Sequence, residues 1–278
     1  MIKILKLNFY YIFVLICSIT YKPSYAITID TPVINAGTAM LKGEIHAVNK
    51  EIEGISVLVV VPNPISGEYE KYTTFTDVNG NFSVDLHIET SVSLVSLNIG
   101  LNSDKFLITK IENSKTTVIK IFYDTNQKIE SISTNDRWSS SNMINGMDVM
   151  VKVLSYKPNR MPVPLYNRST NYFLDYAKSI VAERLKIVDN DTLVSENLKD
   201  VISREVQLNL YTAHVFDYKE EMLRNFKNTS SDKSIEPTIR QVDRLYFRFL
   251  KELKFNNPRH LLGFSFYEIQ KNIAKRNT

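Results

Sequence analysis

The side chains best suited to acid–base or metal chemistry in this chain are four histidines, His46, His87, His214 and His260. Their spacing argues against both uses. No two stand four residues apart and no His-Glu-x-x-His run occurs, which excludes the paired imidazoles of a zinc-peptidase helix. His46 and His87 fall in strand-like stretches and read as surface or half-buried residues. His214 stands three residues before Asp217 on a helical run, a spacing that favours a local structural pair. Asp77-Val78-Asn79-Gly80-Asn81 offers oxygens for calcium, but its glycine is fourth rather than sixth, and Ile88 occupies the place of the bidentate glutamate. Asp189-Asn190-Asp191 also has oxygens for a cation, and helix breaking and capping explain it without one. Glu220 and Glu221 sit beside Lys219 and Arg224, the pattern of a solvated charged face. Nucleophile-elbow, P-loop and dinucleotide-binding patterns are missing, and eight glycines leave little room for phosphate cradles. No catalytic, cofactor-binding or metal-binding residue is therefore assigned, and no cofactor is implied.

The aromatic content, 14 Phe, 15 Tyr and one Trp, points instead to contacts. Tyr246, Phe247 and Phe249 spread around most of one helical circumference, so part of that surface must be covered by the sandwich or by a partner. Trp138 lies in a polar connector and has two readings: an anchor pinning that connector to a domain, or a platform on which a ligand stacks. Trp138, Tyr246, Phe247 and Phe249 are the expected partner-binding residues.

The elements that would carry these residues divide the chain. With 44% hydrophobic and 23% charged residues the 278-residue chain can build ordinary cores. A net charge of +4 without a basic run argues against nucleic acid. From residue 39 short runs rich in Val, Ile, Thr and Tyr recur with polar breaks: 41–48, 55–61, 69–76, 82–88, 92–99, 106–111 and 117–123. No helical pattern separates them, which argues for a β-sandwich. Val57 to Val61 is apolar on both faces and reads as a central strand ended by Pro62-Asn63-Pro64. Asn79-Gly80 predicts a type I′ turn joining the two strands of a central hairpin, capped by the Asp77 carboxylate. Phe82 and Val84 then share one face of the outgoing strand, Ser83 and Asp85 the other.

Residues 126–168, rich in Ser, Asn and Pro, read as a connector, with the alternation from Asp148 to Leu154 suggesting one further strand or ribbon. Beyond it the period is helical. Ser169 caps a helix with apolar positions Phe173, Tyr176, Ala177, Ile180, Val181 and Leu185, ended at Asp189-Asn190-Asp191. A second run extends from Val194 to Asn225 as one helix or two. Pro237 opens a third, with a stripe of Val242, Leu245, Tyr246, Phe249, Leu250 and Leu253. Ser265 with Glu268 forms a capping box for a last helix, with Phe264 and Ile269 as its staple. Four helices of this kind make a small bundle.

The N-terminus reads as a signal peptide: Lys3 and Lys6, an apolar stretch from Leu7 to Ile19, and Ser24-Tyr25-Ala26 as cleavage site. The apolar stretch is short for a membrane span, a retained anchor being the alternative. The only cysteine, Cys17, lies within it, and Ile16 before it disfavours lipidation. Cleavage after Ala26 leaves a mature chain without thiol chemistry, disulfides or stable membrane insertion, exported to the periplasm or outer membrane. The expected organisation is an α+β two-domain chain: signal peptide 1–26, β-sandwich 27–125, connector 126–168 and α-helical bundle 169–278.

Thr76-Asp77-x-x-Gly80-x-Phe82-x-Val84, preceded by Gly54-Ile55-Ser56-Val57, resembles the carboxypeptidase regulatory-like domain over roughly residues 38–123. The resemblance implies an Ig/transthyretin-like sandwich used as a non-catalytic module of exported bacterial proteins. Val206 to Tyr211, Asp217 to Glu220, Phe249 to Glu252 and Asn256-Asn257-Pro258 resemble, over roughly residues 165–276, the helical segment following such a sandwich in TlpA-like exported thiol-disulfide reductases. In those proteins a thioredoxin domain with Cys-x-x-Cys comes next, and the sequence ends at Thr278 without it, so only architecture and location carry over. Three functional expectations follow: an exported non-catalytic binding or scaffold protein with a cell-envelope partner; an accessory or truncated subunit of a periplasmic redox system whose Cys-x-x-Cys lies on another chain; or a hydrolase whose site the sequence does not display.

Overall fold

A computed structural model describes residues 29–136 and 138–276. The expected signal peptide and cleavage site, and Cys17, lie outside the described residues. The eight strands are β1 (Ile34–Ala47), β2 (Ser56–Asn63), β3 (Glu68–Phe75), β4 (Asn81–Thr90), β5 (Val92–Ile99), β6 (Asn102–Glu112), β7 (Thr116–Tyr123) and β8 (Ile129–Thr134). They form two four-stranded sheets, ordered β4-β1-β7-β8 and β3-β2-β5-β6. β1 pairs antiparallel with β4 and parallel with β7. The helical part follows in sequence: α1 (Ser140–Ser155), α2 (Thr170–Asp189), α3 (Glu196–Leu210), a π-helical turn (Tyr211–Phe216), α4 (Tyr218–Thr229), two 3-10 segments (Arg244–Leu253 and Pro258–Leu262) and α5 (Ser265–Arg276). The chain is thus α+β, with a sandwich-like part and a helical part.

Strand periodicity places Val57, Val59, Val95, Leu97, Ile99, Leu107 and Ile111 on one face of the second sheet, all buried. Leu94, Ser96 and Ile108 occupy its opposite face and are buried as well, because α1 packs on β6 there. The second sheet is therefore a middle layer between the first sheet and the helices. That explains why β5 reads as a continuous apolar run rather than an alternation. The outer face of the first sheet meets solvent and carries charge, with Lys120 Nζ 2.7 Å and His46 Nε2 2.9 Å from the Glu44 carboxylate.

The expected central hairpin is not one. β3 pairs only with β2 and β4 only with β1, so Asp77 to Gly80 is a crossover between the two sheets. Its geometry differs from type I′ too. Only Gly80 has positive φ, 77°, while the Asp77 carbonyl accepts the Gly80 N–H at 2.9 Å. A Cβ on Gly80 would lie 2.3 Å from the Ile45 carbonyl oxygen, so the close approach requires glycine. Asp77 does cap the turn: Oδ1 accepts from Asn79 N at 2.9 Å and Asn81 N at 2.8 Å, and the Asn81 backbone bond leads in holding its carboxyl below the ordinary value. Phe82 is buried and Ser83 exposed, the expected alternation.

The stretch expected to be a connector holds two elements. β8 was hidden because only Ile132 of its six residues is buried, leaving almost no alternation to detect. The Asp148 to Leu154 alternation is not a strand but the second half of α1, capped by Ser139. Met143, Gly146, Met150 and Val153 bury one helical face, while Val151, which completed the two-residue pattern, is 58% exposed. Gly146 allows the close packing: a Cβ there would meet Ile108 Cγ2 at 2.7 Å and Leu198 Cδ2 at 2.9 Å.

Further along, Ser169 caps α2 as expected, and Asp191 Oδ1 accepts from Leu193 N and Val194 N beyond its end. The long second run is broken by the π-turn and by Asp217, whose φ of −96° and ψ of 71° end the helical path. Pro237 opens no helix. A 3-10 segment starts only at Arg244, where Asp243 Oδ1 accepts from Tyr246 N at 3.0 Å. The Ser265–Glu268 capping box is replaced by another arrangement. Ser265 Oγ donates to Glu205 Oε1 at 2.7 Å, and the Phe264 and Ser265 N–H groups also bond this carboxylate, so a buried side chain of α3 satisfies the start of α5. Glu268 instead lies 3.6 Å from Lys271.

Candidate functional site

The four expected partner-binding residues do not form a surface. Trp138 is 3% exposed and its Nε1 donates to the Ile108 carbonyl at 3.1 Å, fixing the chain before α1 on β6. The anchor reading describes it, and an indole buried this way is not open to a ligand. Tyr246 and Phe249 are also interior, and the Tyr246 hydroxyl donates to the Val215 carbonyl at 2.7 Å. Phe247 is half-buried, its ring 5.6 Å from Phe216 and 5.1 Å from Tyr246. The 3-10 geometry gathers these rings inward instead of spreading them around a helix. They belong to an edge-to-face cluster that also includes Tyr218 and Phe173, with centroids 5.4 to 5.5 Å apart.

The histidines are likewise dispersed. His46 stacks on Phe122 at 4.5 Å, and the backbone N–H of His87 donates to the Tyr72 hydroxyl at 3.1 Å. His260 is buried, its Nε2 2.9 Å from the Leu253 carbonyl oxygen, and burial holds it below its ordinary pKa. His214 pairs with Glu221 at 3.3 Å, not with Asp217, because the π-turn rotates the ring away from the expected i, i+3 partner.

The aromatic cluster backs a cavity that the sequence alone did not single out. It has a volume of about 240 Å³ and lies between α2, the end of α3 and the π-turn, with Pro158 and Leu165 of the preceding loop on its rim. Phe173, Ala177, Ile180 and Val181 contribute the α2 wall, and Leu210 and Val215 the facing wall. Asn225 ties down the end of this loop: its Oδ1 accepts from Leu165 N at 2.7 Å, while Nδ2 donates to the Val163 carbonyl at 2.9 Å. Polar groups in the lining are few: Tyr176, Arg184, His214 and Glu221. No serine, threonine, cysteine or lysine is among the residues that line it.

The charges have unequal freedom. Glu221 Oε2 accepts from Arg224 Nη2 at 2.5 Å, and Arg224 also donates to the Ala213 carbonyl at 2.9 Å, tying α4 to the π-turn. Arg184 has no carboxylate within 4.0 Å among the described residues. Its neighbour Glu183 is taken by the Tyr156 hydroxyl at 2.7 Å and by Arg160 at 2.8 Å. Arg184 Nη1 donates to the Leu154 carbonyl at 3.2 Å, and Nε is buried without an acceptor. Burial holds this guanidinium below its ordinary pKa.

Half of this site was visible beforehand, since Phe173, Tyr176, Ala177, Ile180 and Val181 are the apolar stripe of α2. Arg184 stands four residues after Ile180 on the same stripe. A lone cation on an apolar face is the signal that could have found it. Among the described residues no helix is long and apolar enough to cross a membrane. No protein-family model matches the chain, and no curated protein matches it.

Proposed function

We propose that this chain is a non-catalytic binding protein, and that the cavity between α2 and the π-turn is its ligand site. The observation that carries the reading is the lining: apolar walls with a few polar groups, of which Glu221 is held by Arg224 and lies 3.3 Å from His214. The π-turn supports it, since such turns inside helices recur at functional sites. The scaffold in this reading is an Ig/transthyretin-like sandwich followed by a helical bundle. It is exported and resembles the region that precedes the thioredoxin domain in TlpA-like reductases. Its two packed four-stranded sheets and the helices on the outer face of the second sheet support that architecture.

The test is a fluorescence titration with the neutral probe N-phenyl-1-naphthylamine. The folded chain should bind it saturably at one site, and Ile180→Trp, which fills the cavity from the α2 wall, should abolish binding while leaving the far-UV spectrum unchanged. Unsaturable binding, or binding untouched by Ile180→Trp, overturns the site assignment.

A further inference from the structure

We infer that the cavity takes a small amphiphile with one apolar chain and an anionic carboxylate head, and that Arg184 is the residue that selects the head. The inference rests on the binding reading above and deepens it. Two independent features converge. The walls are apolar, and the volume of about 240 Å³ is below the roughly 300–1,000 Å³ of drug-sized sites, which suits one small apolar molecule. The polar end carries a guanidinium with spare donors. Arg184 uses Nη1 on the Leu154 carbonyl, leaves Nε buried and unmet, and has no carboxylate neighbour within 4.0 Å among the described residues.

Arg184 is half-buried in the cavity lining with its Nε buried and unmet, and a carboxylate matches the planar fork of a guanidinium that still lacks an acceptor. The one carboxylate in the lining does not repel such a ligand strongly, because Glu221 Oε2 is already bound by Arg224 and lies 3.3 Å from His214 Nδ1. A cationic head is disfavoured for the same reason: no unpaired carboxylate lines the cavity. Binding occurs without any covalent step.

The experiment is isothermal titration of the folded chain with octanoate, 1-octanol and octylamine, which share a chain and differ in the head. Octanoate should bind at least about tenfold more tightly than octanol, the order expected of a charge-assisted bond. Arg184→Gln should erase that preference while octanol affinity stays within twofold, and Arg184→Lys should restore part of it. Melting curves check that each variant is folded. Equal affinity for octanoate and octanol, or tighter binding of octylamine, overturns the carboxylate assignment and leaves the apolar site standing. Failure of the neutral naphthylamine probe to bind overturns the binding reading itself, so the two failures are distinct.

Discussion

Trp138 allows the packing of the helical layer on the second sheet to be measured in two steps. Trp138→Phe keeps a ring but removes the donor to the Ile108 carbonyl, leaving a buried acceptor unmet at a cost of about 1 kcal/mol. Trp138→Ala also empties an interior site that is only 3% exposed, and truncations of this size cost about 3–5 kcal/mol. Taking 4 kcal/mol and a urea slope of about 3 kcal/mol/M, the Ala variant should lose about 1.3 M from its unfolding midpoint. Trp138→Phe should lose about 0.3 M on the same slope. Far-UV circular dichroism follows unfolding in all three chains. In the parent, this only tryptophan of the chain also gives fluorescence that should be blue-shifted and resistant to acrylamide until the chain unfolds. A loss below about 1 kcal/mol for the Ala variant, or an indole freely quenched in the folded chain, would refute the anchoring argument.

Glu205 supplies a pH prediction. Burial raises its carboxyl above the ordinary value of 4.5 against the opposing bonds from Ser265 and Phe264, so the folded chain binds this proton more tightly than the unfolded chain. Its contribution to stability is therefore greatest below 4.5 and is lost as pH rises through the folded-state value. Glu205→Gln should remove that slope in melting temperatures taken from pH 4 upward, and parallel curves for the two chains would contradict it. Asn142 joins the first turn of α1 to the cap of α3, with Oδ1 accepting from Ser195 N at 2.8 Å and Nδ2 donating to Ser195 Oγ at 2.9 Å. Asn142→Ala should cost about 2 kcal/mol in urea unfolding, because both Ser195 groups lose a buried partner. A loss under 0.5 kcal/mol would show that water replaces them.

The strands were legible where burial is one-sided. β1 and β4 alternate and were read directly, and β5, buried on both faces, still showed as an apolar run. Strand pairing was not legible. Asn79-Gly80 encodes a tight turn, but whether the strands it joins lie in one sheet depends on partners distant in sequence, and here β1 and β2 separate them. The α1 segment misled because Val149, Val151 and Val153 alternate while Met143, Met150 and Val153 also satisfy the helical period, and only the sheet beneath decides between the two. Cover for Tyr246 and Phe249 was expected from the sandwich or from a partner, and it comes instead from the helical part itself, through the π-turn and α4. The cavity was half-visible as the α2 stripe. Its opposite wall comes from the π-turn, a local rewinding with no strong signature in a single sequence.

The measurement that bears most directly on the central claim is a crystal structure of the chain soaked with N-phenyl-1-naphthylamine. The account predicts one probe molecule between α2 and the π-turn, against Phe173, Val181 and Val215 and within reach of Arg184. A probe bound elsewhere with that cavity vacant would contradict it.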